Sequence, residues 1–189
     1  MLVVTVVIVW IIDGRDRRLG ISHGIEHATI ALLERLIRFG LGGFATPDSF
    51  VVRIPRESVH LLWRERVRDA AQRAIDQLAA GDRQLAYTPD CSTNWFAERA
   101  ILCVCVFAFC AFAYVVSAPP HVGVLAVATA IWFARALGHV LGIALQWWVT
   151  VHTRWASVRI VDVEVGEGKD DHAGTYEFRV RLDIVPRPG

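Results

Sequence analysis

The chain has 189 residues, 54% of them apolar, and its 20 basic and 19 acidic side chains leave a formal net charge of +1. The length suits about one domain, but the apolar share is too high for an ordinary soluble one, so part of the sequence must be built for another solvent. The near-neutral balance excludes a basic nucleic-acid surface, and the excess of arginine, nineteen against one lysine, reads as compositional bias.

In chain order, the first dozen residues, MLVVTVVIVWII, are rich in β-branched side chains and read as a buried strand. As a helix they would reach only about 18 Å, so the competing reading is a short membrane-embedded segment. Ser22 is a good N-cap for a helix running to Phe39, with an apolar stripe of Ile25, Ala28, Leu32, Leu33, Leu36 and Phe39, and Gly40, Gly42 and Gly43 are expected to stop it. Residues 49–54 read as a strand, and Pro55 leads into a second amphipathic helix ending at Gly81. Its inner face is Val59, Trp63, Val67, Ala70, Ala71, Ala74, Ile75 and Leu78.

Residues 100–118 form an uncharged run of nineteen, close to the roughly 20 a helix needs to cross about 30 Å of hydrocarbon. Pro119 and Pro120 break it, and a second apolar stretch runs from Val122 to Val151, interrupted by Arg135, His139 and Gln146. The connecting loop holds no Lys or Arg, whereas arginines are frequent on both flanks, which places both flanks in the cytoplasm. Trp95, Trp147 and Trp148 fall near one level as an interfacial belt, and Arg135 is expected to turn toward the cytoplasmic face and meet Glu98. Arg135, Gly138, His139 and Gly142 share helical spacing, a face suited to packing against protein and a candidate surface for a homo-oligomer. Beyond the hairpin, residues 157–165 and 175–185 flank a GEGKDDHAG turn and read as a β-hairpin with one wet face.

The fold class that follows is α+β: a small cytoplasmic α/β layer over residues 1–94, a two-helix transmembrane hairpin over 95–152 and a cytoplasmic β-hairpin over 153–189. The expected surroundings are a lipid bilayer, with no nucleic-acid partner and both termini in the cytoplasm.

One motif carries chemistry. His23-Gly24-Ile25-Glu26-His27 fits H-x-x-E-H, the inverted zincin pattern. On a helix, positions i and i+4 bring both imidazoles to one side, able to hold one Zn²⁺, while Glu26 sits where it could act as general base on a metal-bound water. The expected position in the first helical turns would also disfavour imidazolium and keep both nitrogens available. A hydrolytic zinc needs a third protein ligand. Cys91, the cysteine outside the apolar spans, is the leading candidate, with His60 and Glu98 as alternatives.

The stretch HGIEHAT, the sequence AYTPDCSTN over residues 86–94 and the hairpin that follows resemble an uncharacterised bacterial membrane-protein family with H-x-x-E-H-A-T near the start and H-P-x-C-G-T-N before the spans. The resemblance covers roughly residues 20–115 and implies a bacterial inner-membrane protein with a paired site, His23, Glu26, His27, Ala28 and Thr29 facing Pro89, Cys91, Thr93 and Asn94. Here Thr88 replaces the second motif's histidine and Ser92 its glycine. Two functions compete. One is a membrane-bound zinc hydrolase or peptidase with His23, His27 and Cys91 as ligands and Glu26 as base; the other is a non-catalytic oligomeric or partner-binding module in which the same residues form a polar junction.

Overall fold

The structure, a computed structural model, describes residues 17–37, 40–59, 63–88, 91–117, 119–147, 157–168 and 174–185. The expectations for residues 1–12, for Phe39, His60, Pro89 and Trp148, lie outside them. Among the described residues, four α-helices and four strands make an α+β protein. They are α1 (Arg17–Ile37), β1 (Gly42–Thr46), β2 (Ser49–Pro55), α2 (Trp63–Ala79), α3 (Ser92–Val115), α4 (Pro120–Gln146), β3 (Ser157–Glu167) and β4 (Thr175–Val185). Two compact units result, one of α1, α2 and the sheet and one of α3 and α4.

The sheet is antiparallel with strand order β1-β2-β4-β3. Its inner face follows from alternation: Phe178, Val180, Leu182 and Ile184 of β4 are buried, and Arg179, Arg181 and Asp183 between them are exposed. Phe50 and Val52 of β2 stand opposite Val180 and Phe178, so the strands place four large apolar side chains on one face. Helices α1 and α2 cover that face, α2 contributing Trp63, Val67, Ala70, Ala71, Ala74, Ile75 and Leu78 as its spacing predicts. Gly81, at φ 101°, ends that helix, with Gly81 N–H donating to Leu78 O and Asp82 N–H to Gln77 O.

Three boundaries differ from the sequence reading, the first being the second helix, which was expected to follow Pro55 but is α2 from Trp63, with a 3-10 turn at Arg56–Ser58 and Val59 extended before it. Helix α1 begins at Arg17, five residues before Ser22, because the turn that carries Ile21 into the core is itself helical. Ser22 is therefore not an N-cap; its hydroxyl donates to Ser49 O of β2 at 2.9 Å. Gly42 and Gly43 do not stop a helix but lie in β1, a strand of weak local preference (GGFAT) held by pairing with β2. Leu36, expected on the inner stripe, is exposed. The C-terminal β-hairpin joins the N-terminal strands directly, β4 pairing with β2 from Ser49↔Arg181 to Pro55↔Thr175. Across that seam Arg53 donates to Glu177 at 2.9 Å while its guanidinium covers the Phe44 ring.

In the second unit α3 and α4 pack as an antiparallel hairpin through a short turn, with Pro120 at the first position of α4 as the sequence suggests. The stripe of α4 buried in this unit recurs every fourth residue: Ala130, Ala134, Gly138, Gly142 and Gln146. Gly138 meets Glu98 so closely that a Cβ there would lie 2.5 Å from the Glu98 Cα. Arg135 and His139, expected on the same face, lie beside the stripe and are exposed, because they follow its members by one residue. Arg135 Nε does reach Glu98 Oε1, at 3.7 Å. One helix segment among the described residues, His121–Ala144, is long and apolar enough to cross a membrane. The cysteines of α3 are free thiols, as their place in an apolar helix implies.

Candidate metal centre

Between Gly20 and Thr29, helix α1 is buried on every side except at His23. A helix so enclosed must satisfy each polar side chain internally. Ser22 is satisfied by β2, and Thr29 Oγ1 donates back to Ile25 O at 2.7 Å. His27 Nδ1 lies 2.9 Å from Ala86 O, which lies in the short 3-10 turn Arg83–Ala86 that packs on α1. A carbonyl can only accept, so Nδ1 carries the proton and Nε2 carries the lone pair.

His23 stands one turn before His27, with ring centroids 4.2 Å apart and planes inclined at 57°. Its Nδ1 lies 3.3 Å from Glu26 Oε2, within ion-pair reach. The contact is too far out of line for a hydrogen bond, and Oε2 has no hydrogen-bond partner among the described residues although Glu26 is buried. The other carboxyl oxygen, Oε1, would lie 2.6 Å from a Cβ placed on Gly43, so the carboxyl group occupies space that any side chain at that position would fill. Both imidazoles thus turn Nδ1 toward an oxygen, so Nε2 of each is the nitrogen that a metal ion could take. A hydrogen-bonded outer oxygen such as that of Ala86 fixes the tautomer of its imidazole and raises ligand basicity.

Cys91, the candidate third ligand, is buried immediately before α3 in the other unit. Glu98, the other alternative within that unit, is engaged with Arg135 in the hairpin. Glu34, on the polar side of α1 by its spacing, accepts from Leu41 N–H at 2.8 Å and serves the chain leaving the helix. The motif also lies deeper in its helix than expected, His23 being the seventh residue of α1. The polarity of the helix end therefore contributes little, since it fades within the first turn, and for His27 the hydrogen-bonded carbonyl of Ala86 sets the tautomer instead.

Two contributors were not identified from sequence. Ala86 acts through its carbonyl, which any residue could supply and which lies 59 positions from His27, so no side-chain signal exists. Gly43 did carry a signal, since an isolated glycine in a strand often marks close approach of another group, but its place after a helix suggested a cap.

Residues 18–163 match the family model described as a domain of unknown function, DUF6391. No curated protein and no solved structure matches the chain.

Proposed function

This chain belongs to the DUF6391 family, and from that premise we propose that it is a membrane-anchored metal-binding protein in which His23, His27 and Cys91 hold a divalent transition metal. The observation that carries the reading is the α1 histidine pair, 4.2 Å between rings, each with Nδ1 already directed at an oxygen. Cys91 is the natural third donor by connectivity. Ala86 is tied to His27, and Cys91 follows five residues later, within at most about 18 Å of chain. Two neutral imidazoles and one thiolate suit zinc, and three protein ligands would leave a fourth position open.

A hydrolytic reading would place Glu26 on a water in that fourth position. The contact of its carboxyl group with Gly43 and with Nδ1 of His23, the edge of the ring opposite the coordinating nitrogen, favours metal holding over metal-assisted hydrolysis. Metal analysis of the detergent-purified chain after zinc reconstitution and desalting tests the proposal. About one equivalent should be retained by wild type and lost in His23→Ala and Cys91→Ala. No stoichiometric zinc in wild type would favour the polar-junction reading.

The anchoring part of the proposal rests on parity. Strands β2 and β4 belong to one sheet and lie on either side of the hairpin in sequence, so the chain before and after it must be on the same side of any bilayer. The number of crossings between them is therefore even, and if α4 crosses, α3 crosses with it. Within the α4 span only 18% of the residues are buried, unlike the core helix of a soluble protein. Val104, Phe107 and Phe112 of α3 and Val124, Leu125 and Trp132 of α4 are all exposed, a surface suited to lipid. A tag inserted at the exposed Gly81–Asp82 turn and one at the C-terminus should be digested together in inside-out bacterial inner-membrane vesicles and protected together in right-side-out ones; opposite protection would overturn the hairpin.

A further inference from the structure

Glu26 poses an electrostatic question that metal holding alone does not answer. Its side chain is 4% exposed, its Oε2 has no hydrogen-bond partner among the described residues, and Nδ1 of the His23 ring lies 3.3 Å from that oxygen. A carboxylate buried in this way is costly unless a positive charge compensates it. The Gly43 surface confines it, because Oε1 lies where a Cβ would be and Ile30 Cδ1 closes the same space.

From this placement, and resting on the metal-binding reading, we infer that Glu26 is the charge-selecting residue of the site, making it prefer divalent over monovalent soft cations. The charge count carries the inference. A metal-bound cysteine is a thiolate and the imidazoles are neutral, so a divalent ion with Cys91 alone leaves one net positive charge, which the Glu26 carboxylate cancels. A monovalent soft ion such as Ag⁺ or Cu⁺, chosen by the same thiolate and imidazoles, is already neutralised by Cys91, and Glu26 then leaves one uncompensated buried negative charge. Glu26 needs no bond to the ion to act in this way; it works through the His23 ring and across low-dielectric surroundings. Gly43 is its accomplice, since it alone admits the carboxyl group at that depth.

The test is a pair of titrations, with Zn²⁺ and with Ag⁺, on the detergent-purified full chain in wild-type, Glu26→Gln, Glu26→Asp and His23→Ala forms. Glu26→Gln keeps the side-chain size, and circular dichroism checks that the fold is kept. The expected result is a loss of Zn²⁺ affinity of about 10–100-fold with Ag⁺ affinity unchanged or tighter, and partial recovery of the Zn²⁺/Ag⁺ ratio in Glu26→Asp. Equal losses for both ions would make Glu26 a merely structural residue and overturn the inference, as would no change for either. A wild type that binds neither ion in a His23-dependent way would overturn the metal reading itself, an outcome distinct from either result with Glu26→Gln.

Discussion

Helices α1 and α4 are of comparable length, 21 and 27 residues, yet they are turned inside out relative to each other. In α1 the segment from Gly20 to Thr29 is enclosed by protein, and each buried hydroxyl or imidazole has a designated oxygen. In α4 the small and polar residues Ala130, Ala134, Gly138, Gly142 and Gln146 point inward while Val124, Leu125, Trp132 and Phe133 are exposed. A helix in water hides its apolar stripe, whereas a helix in lipid has no reason to and packs through small residues that let backbones approach. Apolar content alone does not distinguish these environments. Which residues are turned toward a neighbouring helix does.

The contrast can be broken most sharply by alanine at Phe178 and at Trp132. Phe178 is fully buried in the sheet core, so Phe178→Ala should cost about 3–5 kcal/mol in a denaturant unfolding assay. Trp132, 70% exposed, should tolerate alanine with little change. Aspartate there should instead cost about 2.5–3.5 kcal/mol in a membrane-insertion assay, and normal insertion of Trp132→Asp would show that this face of α4 does not meet hydrocarbon.

Next in size is Gly138→Ala. Its Cβ would meet backbone and side-chain atoms of Glu98 on the facing helix, so the helices must part, at about 1–3 kcal/mol. Alanine at Gly123, which meets nothing within 4 Å, is the control and should be neutral in the same detergent unfolding assay. A smaller effect belongs to the Glu98–Arg135 pair, since Arg135 is 80% and Glu98 40% exposed in the described unit. A double-mutant cycle with Glu98→Gln and Arg135→Gln should give a coupling of about 0–1 kcal/mol in water-like surroundings. A larger coupling in bilayer than in detergent would show that lipid covers it.

The smallest expected effect lies at the edge of the sheet. The Val163 amide, with Arg64 beside it, holds the Asp162 carboxyl below its ordinary range. A lowered native pKa contributes stability above the unfolded value, about 3.9, and that contribution fades as pH falls through the native one. Asp162→Asn should flatten the stability profile slightly below about pH 4 and leave it unchanged near neutrality, where wild type and variant differ only by a constant offset.

Much of this was legible in the sequence, for reasons that are local. The strand at 49–54, the α2 stripe, the double-proline turn and the H-x-x-E-H pairing each follow from spacing within a few residues, as does the encounter of Arg135 with Glu98 across a tight hairpin. What stayed hidden depends on distant parts of the chain. GGFAT has little strand preference and becomes β1 by pairing with β2. Ser22 looks like a cap until Ser49 is known to accept from it. Gly43 reads as a helix terminator until the Glu26 carboxyl is seen against it.

The pairing of β2 with β4 has a consequence for how the protein is made. Arg53 and Glu177, partners across that seam, are 124 residues apart, with the whole helical hairpin between them. At roughly 5–20 residues per second on the ribosome, β4 emerges on the order of ten seconds after β2. During that interval β2 has an open hydrogen-bonding edge, and the core it shares with α1 and α2 lacks Phe178, Val180 and Leu182, the kind of surface that recruits the wrong partner. On the membrane-anchored reading proposed above, delivery of α3 and α4 to the translocon would come before sheet closure, so the nascent chain would be tethered at the membrane while the sheet waits for its last strand. Truncation before residue 175 should therefore leave a product that inserts but is degraded, a synthesis-order defect that no contact in the finished molecule would reveal.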